Sequence, residues 1–304
     1  MKKIRVKWLA MFLVVLMMSA FAVGCGTTTQ TQAPAPAPAP APNTTAAVTI
    51  EQVADKYYAN MGADIYKISE ADLKAKIDAG DTSFLLIDIR SAEDYAKGHI
   101  KGAVNIPFAK VGEYLDQLPA DKEIIEYCYT GQTAGQTVAI MNMYGLKAKS
   151  LNLGFATGWV GKNNFPVDTA PVEFKAAANV AKPDPAIAKI LKDYYTNMPK
   201  DVHKIASKDL QAKIDAGEPM QVIDLRSAAD FAKGHIKGAI NIPFKEVNKH
   251  FAEFAKDKPV YVYCYTGQTA GQTVAVLNVL GINAYSLHAG WDLGWMADKM
   301  PVTQ

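Results

Sequence analysis

Two cysteines sit in identical surroundings. Cys128 and Cys264 each open the stretch CYTGQTAGQTVA, at 128 to 139 and again at 264 to 275. A β-forming run leads directly into each of them, Ile124 to Tyr127 and Val260 to Tyr263. A helical pattern follows, Thr133 to Tyr144 in the first copy, stopped by Gly145, with Gly281 serving the second. A thiol at the carboxyl end of a parallel strand and the entry of a helix stands where open α/β sheets bind ligands. The helix N-terminus lends partial positive charge to an anionic sulfur. The loop between is Tyr129, Thr130, Gly131, Gln132 and Thr133, matched by Tyr265, Thr266, Gly267, Gln268 and Thr269. Its backbone N–H groups can curl round the thiol and a bound anion, with Gly131 and Gly267 supplying the conformational freedom. The chemistry this suits is nucleophilic, with a thiolate as the attacking group.

Other uses of the two thiols fit less well. A Cys at a strand end is often only a small buried hydrophobe. Two in identical loops, with no third Cys beyond Cys25, argue against that. No C-x-x-C exists for redox or zinc work, and a disulfide framework is excluded by count if Cys25 is modified. His203, His250 and His288 are scattered and unmatched between the copies, so no metal set is expected.

The elements that must position the thiols are themselves written twice. An offset of 136 links Asp88 to Asp224, Gly98-His99-Ile100 to Gly234-His235-Ile236, Ile106-Pro107-Phe108 to Ile242-Pro243-Phe244, and Trp159 to Trp295. Upstream the offset is 137, from Lys76-Ile77-Asp78-Ala79-Gly80 to Lys213-Ile214-Asp215-Ala216-Gly217, and Tyr57-Tyr58 through Met61 corresponds to Tyr194-Tyr195 through Met198. This period is too long for a solenoid and suits a duplicated domain. Within a copy, Phe84 to Ile87 is a short continuous apolar run, as a strand buried on both faces requires, and Ala148 to Leu151 is a further short strand. Strand, helix, strand at this spacing predicts an α/β fold: two tandem domains, each a doubly wound, mainly parallel sheet with helices on both faces.

The same residues resemble the rhodanese domain. The motif begins with Ile87-Asp88-Ile89-Arg90 and Asp94, then Gly98-His99-Ile100-Lys101-Gly102-Ala103 and Asn105-Ile106-Pro107, then the Cys loop. Gly154, Trp159 and Phe165-Pro166-Val167 complete it, as Gly290, Trp295 and Met300-Pro301-Val302 do in the second copy. The resemblance covers residues 50 to 168 and 186 to 303. It implies a sulfurtransferase: Cys128 and Cys264 would each take the outer sulfur of a donor such as thiosulfate, become persulfides, and pass it to a thiophilic acceptor. It also implies that Asp88, Arg90, Asp224 and Arg226 form structural ion pairs, and that His99 and His235 are hydrogen-bonded turn residues rather than bases. Thiosulfate-type members often read Cys-Arg-Lys-Gly-Val-Thr; this chain keeps Gly131 and Thr133 but carries Tyr129 and Thr130 in place of the cations. A dianionic donor is expected to bind more weakly to such a loop. The related phosphatases and arsenate reductases place an Arg six residues after the Cys, where this chain has Ala134 and Ala270, which speaks against phosphatase chemistry.

The chain has 304 residues, of which 49% are hydrophobic and 20% charged. It is too apolar to be disordered throughout and too charged for a multi-pass membrane protein. Lys and Arg number 32 against 30 Asp and Glu, a net charge of +2 that gives no electrostatic reason to expect nucleic-acid binding. Four of those cations, Lys2, Lys3, Arg5 and Lys7, precede an apolar run from Trp8 to Gly24 interrupted only by Ser19. Such a layout predicts a secretory signal over 1–24. Ala22-Val23-Gly24-Cys25 resembles the lipobox of bacterial lipoproteins, which would make Cys25 the lipidated residue. Ala20-Phe21-Ala22 also fits ordinary cleavage, and an uncleaved anchor is a third option, although short. Residues 25–48 carry five Ala-Pro repeats from Ala33 to Pro42, which predict an extended spacer on the order of 70 Å long.

The expected organisation is a signal at 1–24, a tether at 25–48, a first domain at 49–170, a Pro- and Ala-rich linker at 171–185, and a second domain at 186–304. The expected function is extracytoplasmic, membrane-anchored sulfur transfer between a small donor and a thiol or cyanide-like acceptor, with a protein acceptor conceivable, without a cofactor and without nucleic acid. A non-catalytic persulfide carrier, a binding scaffold and a thiol-redox sensor are the alternatives.

Overall fold

The computed structural model describes residues 47–304. The expected signal, Cys25 and the Ala-Pro repeats lie outside the described residues. Among the described residues, no helix is long and apolar enough to cross a membrane.

The first repeat runs α1 (Ile50–Ala59), β1 (Lys67–Ile68), α2 (Glu70–Asp78), β2 (Phe84–Asp88), α3 (Ala92–Lys97), β3 (Val104–Asn105), α4 (Val111–Tyr114), β4 (Glu123–Tyr127), α5 (Gln132–Met143) and β5 (Lys147–Leu151). The second runs α6 (Pro185–Thr196), β6 (Lys204–Ile205), α7 (Ser207–Asp215), β7 (Gln221–Asp224), α8 (Ala228–Lys233), β8 (Ala239–Asn241), β9 (Val260–Tyr263), α9 (Gln268–Val279) and β10 (Ala284–Leu287). Each repeat forms a five-stranded sheet, in the orders β1-β5-β4-β2-β3 and β6-β10-β9-β7-β8, and every strand pair is parallel.

Alternation along the central strands decides where the cores lie. In β4, Ile125 and Tyr127 point to an outer core with Leu73, Tyr95 and Trp159. Ile124 and, just past the strand, Cys128 point the other way. In β9, Tyr261 and Tyr263 pack outward with Leu210 and Trp295, whereas Val260, Val262 and Cys264 face inward. The inward face is one core common to both repeats, with Val138 and Met141 of α5 and Val274 and Leu277 of α9 at its centre. A side-chain period of two thus sends each strand into two cores at once, and each Cys belongs to the shared one.

The leading helices are exchanged across that core. A Thr49–Gln52 capping box starts α1. The helix lies against the second repeat, where Tyr58 packs on Phe244 and Phe251 and its hydroxyl donates to Thr273 Oγ1 at 3.1 Å. Asp184 caps α6, with Pro185 at its first turn. This helix lies against the first repeat, with Tyr195 on Phe108 and Lys192 Nζ 2.8 Å from Asp116.

The linker expected at 171–185 is bonded along the first repeat. Val172 bridges Val104, Pro119 bridges Val180, and Ala177 N–H donates to the Gln117 carbonyl at 2.9 Å. Its last residue, Pro185, already belongs to α6.

Candidate functional site

Each Cys is set by the strand that ends at it and the helix that follows. Cys128 and Cys264 are free thiols, both buried at 3% exposure. After each, the chain turns through a glycine in the left-handed region, Gly131 at φ 92° and Gly267 at φ 87°, and enters α5 or α9. A side chain is strained in that conformation, so the turn requires Gly. The curl aims backbone donors at sulfur: the Gly131 and Ala134 N–H groups lie 3.1 and 3.4 Å from Cys128 Sγ, and Ala270 N–H lies 3.4 Å from Cys264 Sγ. N–H groups converging on one atom at a helix N-terminus stabilise negative charge there.

Above Cys264 is a cavity of about 240 Å³. Thr266, Thr269 and Tyr265 line it from the loop, and Ile65 and Lys67 line it from the other repeat. The wall is therefore assembled from both halves of the chain.

The remaining loop side chains divide by role. Tyr129 and Tyr265 stand about two-fifths exposed at the rim, and their hydroxyls donate to Asp94 and Asp230. The Tyr129 hydroxyl is the main cause holding the Asp94 carboxyl down at about 2. Asp230 is held low as well, by Lys233 first and Tyr265 second. Thr130 and Thr133 are half-buried. Gln132 and Gln268 turn their side chains away from the loop. Gln132 Nε2 donates to Ser286 Oγ at 2.7 Å and the Leu287 carbonyl at 3.0 Å, and Gln268 Nε2 to Ser150 Oγ at 2.7 Å and the Leu151 carbonyl at 3.1 Å. Gln268 also lines the cavity above Cys264.

Apart from Asp94, the charged residues and histidines of the motif are held in ion pairs and turns. Asp88, fully buried, receives Arg90 Nε at 3.0 Å, and Arg90 Nη2 also donates to the Gly98 carbonyl at 2.7 Å. Asp224 and Arg226 repeat this, Arg226 Nη2 reaching Gly234 O at 2.7 Å. Each guanidinium is capped by an aromatic ring, Phe155 at 3.7 Å and Trp291 at 3.9 Å. His99 stacks on Tyr95, with Nδ1 2.9 Å from the Tyr95 carbonyl and Nε2 3.1 Å from that of Ala170. His235 stacks on Phe231, with Nδ1 3.2 Å from its carbonyl. Among the described residues, no group of three or more His, Cys, Asp or Glu is arranged to hold a metal ion.

Two features escaped the sequence reading. Glu126, two residues before Cys128, is fully buried with neither carboxylate oxygen hydrogen-bonded, and burial pushes its carboxyl well above the ordinary range. Its counterpart is Val262, and that mismatch between copies was the available signal. The second is Lys67 at the Cys264 cavity. The repeat alignment shows a lysine kept in both copies, but nothing in one copy tells that it faces the other.

Comparison with known proteins gives a consistent result. The family model described as Rhodanese-like domain matches twice, at residues 69–161 and 206–297. Among curated proteins, the putative sulfurtransferase YtwF of Bacillus subtilis is 33% identical over 99 residues, covering 33% of this chain and 94% of that protein. The putative sulfur carrier protein YrkF of the same organism is 31% identical over 100 residues, covering 33% of this chain and 54% of YrkF. An HTH-type transcriptional regulator of Mycobacterium tuberculosis, Rv0324, is 36% identical over 87 residues, covering 26% of this chain. The chain thus spans 54% of YrkF and 38% of Rv0324. Among solved structures, the 3-mercaptopyruvate sulfotransferase SseA of Escherichia coli is 22% identical with a TM-score of 0.38, covering 74% of this chain and 98% of that one.

Proposed function

Because the chain belongs to the rhodanese-like family, in two tandem copies, we propose that it is a sulfurtransferase with a Cys persulfide formed on each repeat. The observation that carries this reading is the set of backbone N–H groups 3.1 to 3.4 Å from the two buried sulfurs. In the first half-reaction, the Cys128 or Cys264 thiolate attacks the outer sulfur of a small donor such as thiosulfate. A new S–S bond forms, the donor's own S–S bond breaks, and sulfite leaves with the electron pair. In the second, a thiol or cyanide-like acceptor attacks the outer sulfur and the cysteine leaves as thiolate. No net oxidant is needed. The loop amides hold the anionic sulfur in both halves, an electrostatic role that costs no reorganisation. A protein acceptor would have to reach sulfurs that are 3% exposed past the exposed rims at Tyr129 and Tyr265.

The full chain, incubated with thiosulfate or an alkyl persulfide and digested for mass spectrometry, is expected to carry one added sulfur atom on Cys128 and one on Cys264. Cys128→Ser and Cys264→Ser should each keep turnover with a thiol acceptor, and only the double variant should lose it. Sulfur on neither cysteine with any donor would overturn the reading in favour of a binding scaffold.

We also propose that Cys25 is the diacylated first residue of an extracytoplasmic lipoprotein, with residues 26–48 as its spacer. Support comes from the Ala22-Val23-Gly24-Cys25 motif behind a basic and apolar leader. Palmitate should label the chain and fail to label Cys25→Ala. A fully water-soluble, unlabelled product would refute the anchor.

A further inference from the structure

The repeats exchange more than their leading helices. Just before β1 and β6 the backbone passes through two successive residues in the left-handed region. These are Ile65 (φ 50°) and Tyr66 (φ 56°) in the first copy, Val202 (φ 49°) and His203 (φ 54°) in the second. For the β-branched Ile65 and Val202 this is a costly conformation, which persists only where the surroundings enforce it. Bonds within the repeat hold each turn, as from Tyr66 N–H to Asp64 and from His203 N–H to Asp201, and the opposite repeat adds one more. Gln272 Nε2 of α9 donates to the Ile65 carbonyl at 3.1 Å, and Gln136 Nε2 of α5 donates to the Val202 carbonyl at 2.9 Å.

What each strained turn delivers is a lysine. Lys67 follows Tyr66 and lines the cavity above Cys264. Lys204 follows His203 at the equivalent place in the second copy. Both are half-buried, and among the described residues neither is in an ion pair. Burial pulls both ammonium groups below the ordinary lysine range. The strongest charge partner opposing that pull is Cys264 for Lys67 and Cys128 for Lys204. Each thiol thus has a desolvated lysine of the other repeat as a charge neighbour; Lys67 has no carboxylate beside it, whereas Lys204 also has Asp201 of its own turn.

We infer that Lys67 is the anion-binding residue of the cavity above Cys264, and that Lys204, which holds the equivalent place in the second copy, serves Cys128 in the same crosswise way. The inference rests on reading these pockets as sulfur-transfer sites, and it names the donor's chemistry as small and anionic. The loops CYTGQT contain no cation. A lysine arriving from outside the loop restores the charge complementarity that an oxyanion donor needs, and at Cys264 a cavity of about 240 Å³ sets its size.

The test uses two alkylating reagents of nearly the same shape, anionic iodoacetate and neutral iodoacetamide, on the full chain, with rates read separately at Cys128 and Cys264 by mass spectrometry. The ratio of the two rates reports anion attraction and cancels differences in thiol reactivity. In Lys67→Met the iodoacetate-to-iodoacetamide ratio should fall roughly tenfold at Cys264 and stay unchanged at Cys128. Lys204→Met should show the reverse, and Lys67→Arg should keep the wild-type ratio. The two Met variants are independent tests, so one that fails to fold leaves the other. A ratio that falls at the Cys of the same repeat, or at neither, overturns the assignment. Alkylation requires no sulfur transfer, so the two readings can fail separately. A chain that takes up no sulfur but shows the crossed pattern loses the sulfurtransferase reading and keeps the lysines. Sulfur uptake without the crossed pattern does the opposite.

Discussion

At the scale of single residues, Glu126 in the shared core is a carboxyl without a hydrogen-bond partner among the described residues. Glu126 is buried among apolar residues, and the hydroxyls of Thr137 and Tyr195 nearby also lack hydrogen-bond partners among the described residues. The equivalent Val262 shows that an apolar side chain fits this place. Glu126→Val should therefore stabilise the protein at neutral pH by about 1–3 kcal/mol, the usual cost of an unsatisfied buried polar group. The pH dependence follows from the raised folded-state pKa. The folded protein binds this proton more tightly than the unfolded chain, whose Glu titrates at about 4.3. Wild-type stability from this group is complete below that value and is lost as pH rises through the folded value. Urea unfolding of the two proteins should give curves closest together near pH 4 and diverging above it; parallel curves would contradict this account. The Asp88–Arg90 pair is the opposite case, buried and paired. Asp88→Asn should cost about 3–5 kcal/mol by leaving the guanidinium unpaired, measurable in the same unfolding assay. Cys128 and Cys264 stood out in the sequence because their loops repeat without change. The lysine each one faces was not, since no local pattern says which surface a two-residue strand will meet.

The decisive element is the crossing of α5 and α9. A Cβ on Gly135 would lie 2.2 Å from the Gln268 carbonyl oxygen, and one on Gly271 would lie 2.2 Å from that of Gln132. The obstacle in each case is backbone, which cannot swing aside. The two helices touch here because neither has a side chain, and the crossing places both Cys loops on the common core. Gly135→Ala should push the helices apart, lower stability by about 1–3 kcal/mol, and reduce sulfur loading at both cysteines together. Loss confined to Cys128 would show that the crossing does not hold the far site. The central elements were readable in advance. Apolar runs marked β2, β4 and β9, and Gly145 marked the end of α5. The edge strands β1 and β6, two residues each, are too short to carry a period, and the π-helical turns at Gly154–Lys162 and Gly290–Trp295 have no sequence signature. The amphipathic α1 and α6 could be matched to each other but not to the repeat each one covers. That is settled by the shape of the finished core.

At the scale of the whole molecule, two domains in sequence become one unit in space. The apolar core running through both repeats, the exchanged α1 and α6 and the α5–α9 crossing leave no plane along which they separate without exposing apolar surface. Scanning calorimetry should show one unfolding transition for residues 47–304, and two resolved transitions would refute the shared core. A first repeat cut at residue 170 should expose the α5 face and associate as a two-fold dimer, with each α1 laid across its partner. A stable monomer in sedimentation would count against this. The bonded segment at 172–180 also changes how the pair behaves on dilution. Two separate copies would find each other only as often as their bulk concentration allowed. Joined by this short connection, each sees the other at an effective concentration on the order of millimolar. Both thiol pockets should then stay assembled when only a few copies of the chain are present in a cell, conditions under which an unlinked dimer of ordinary affinity would have come apart.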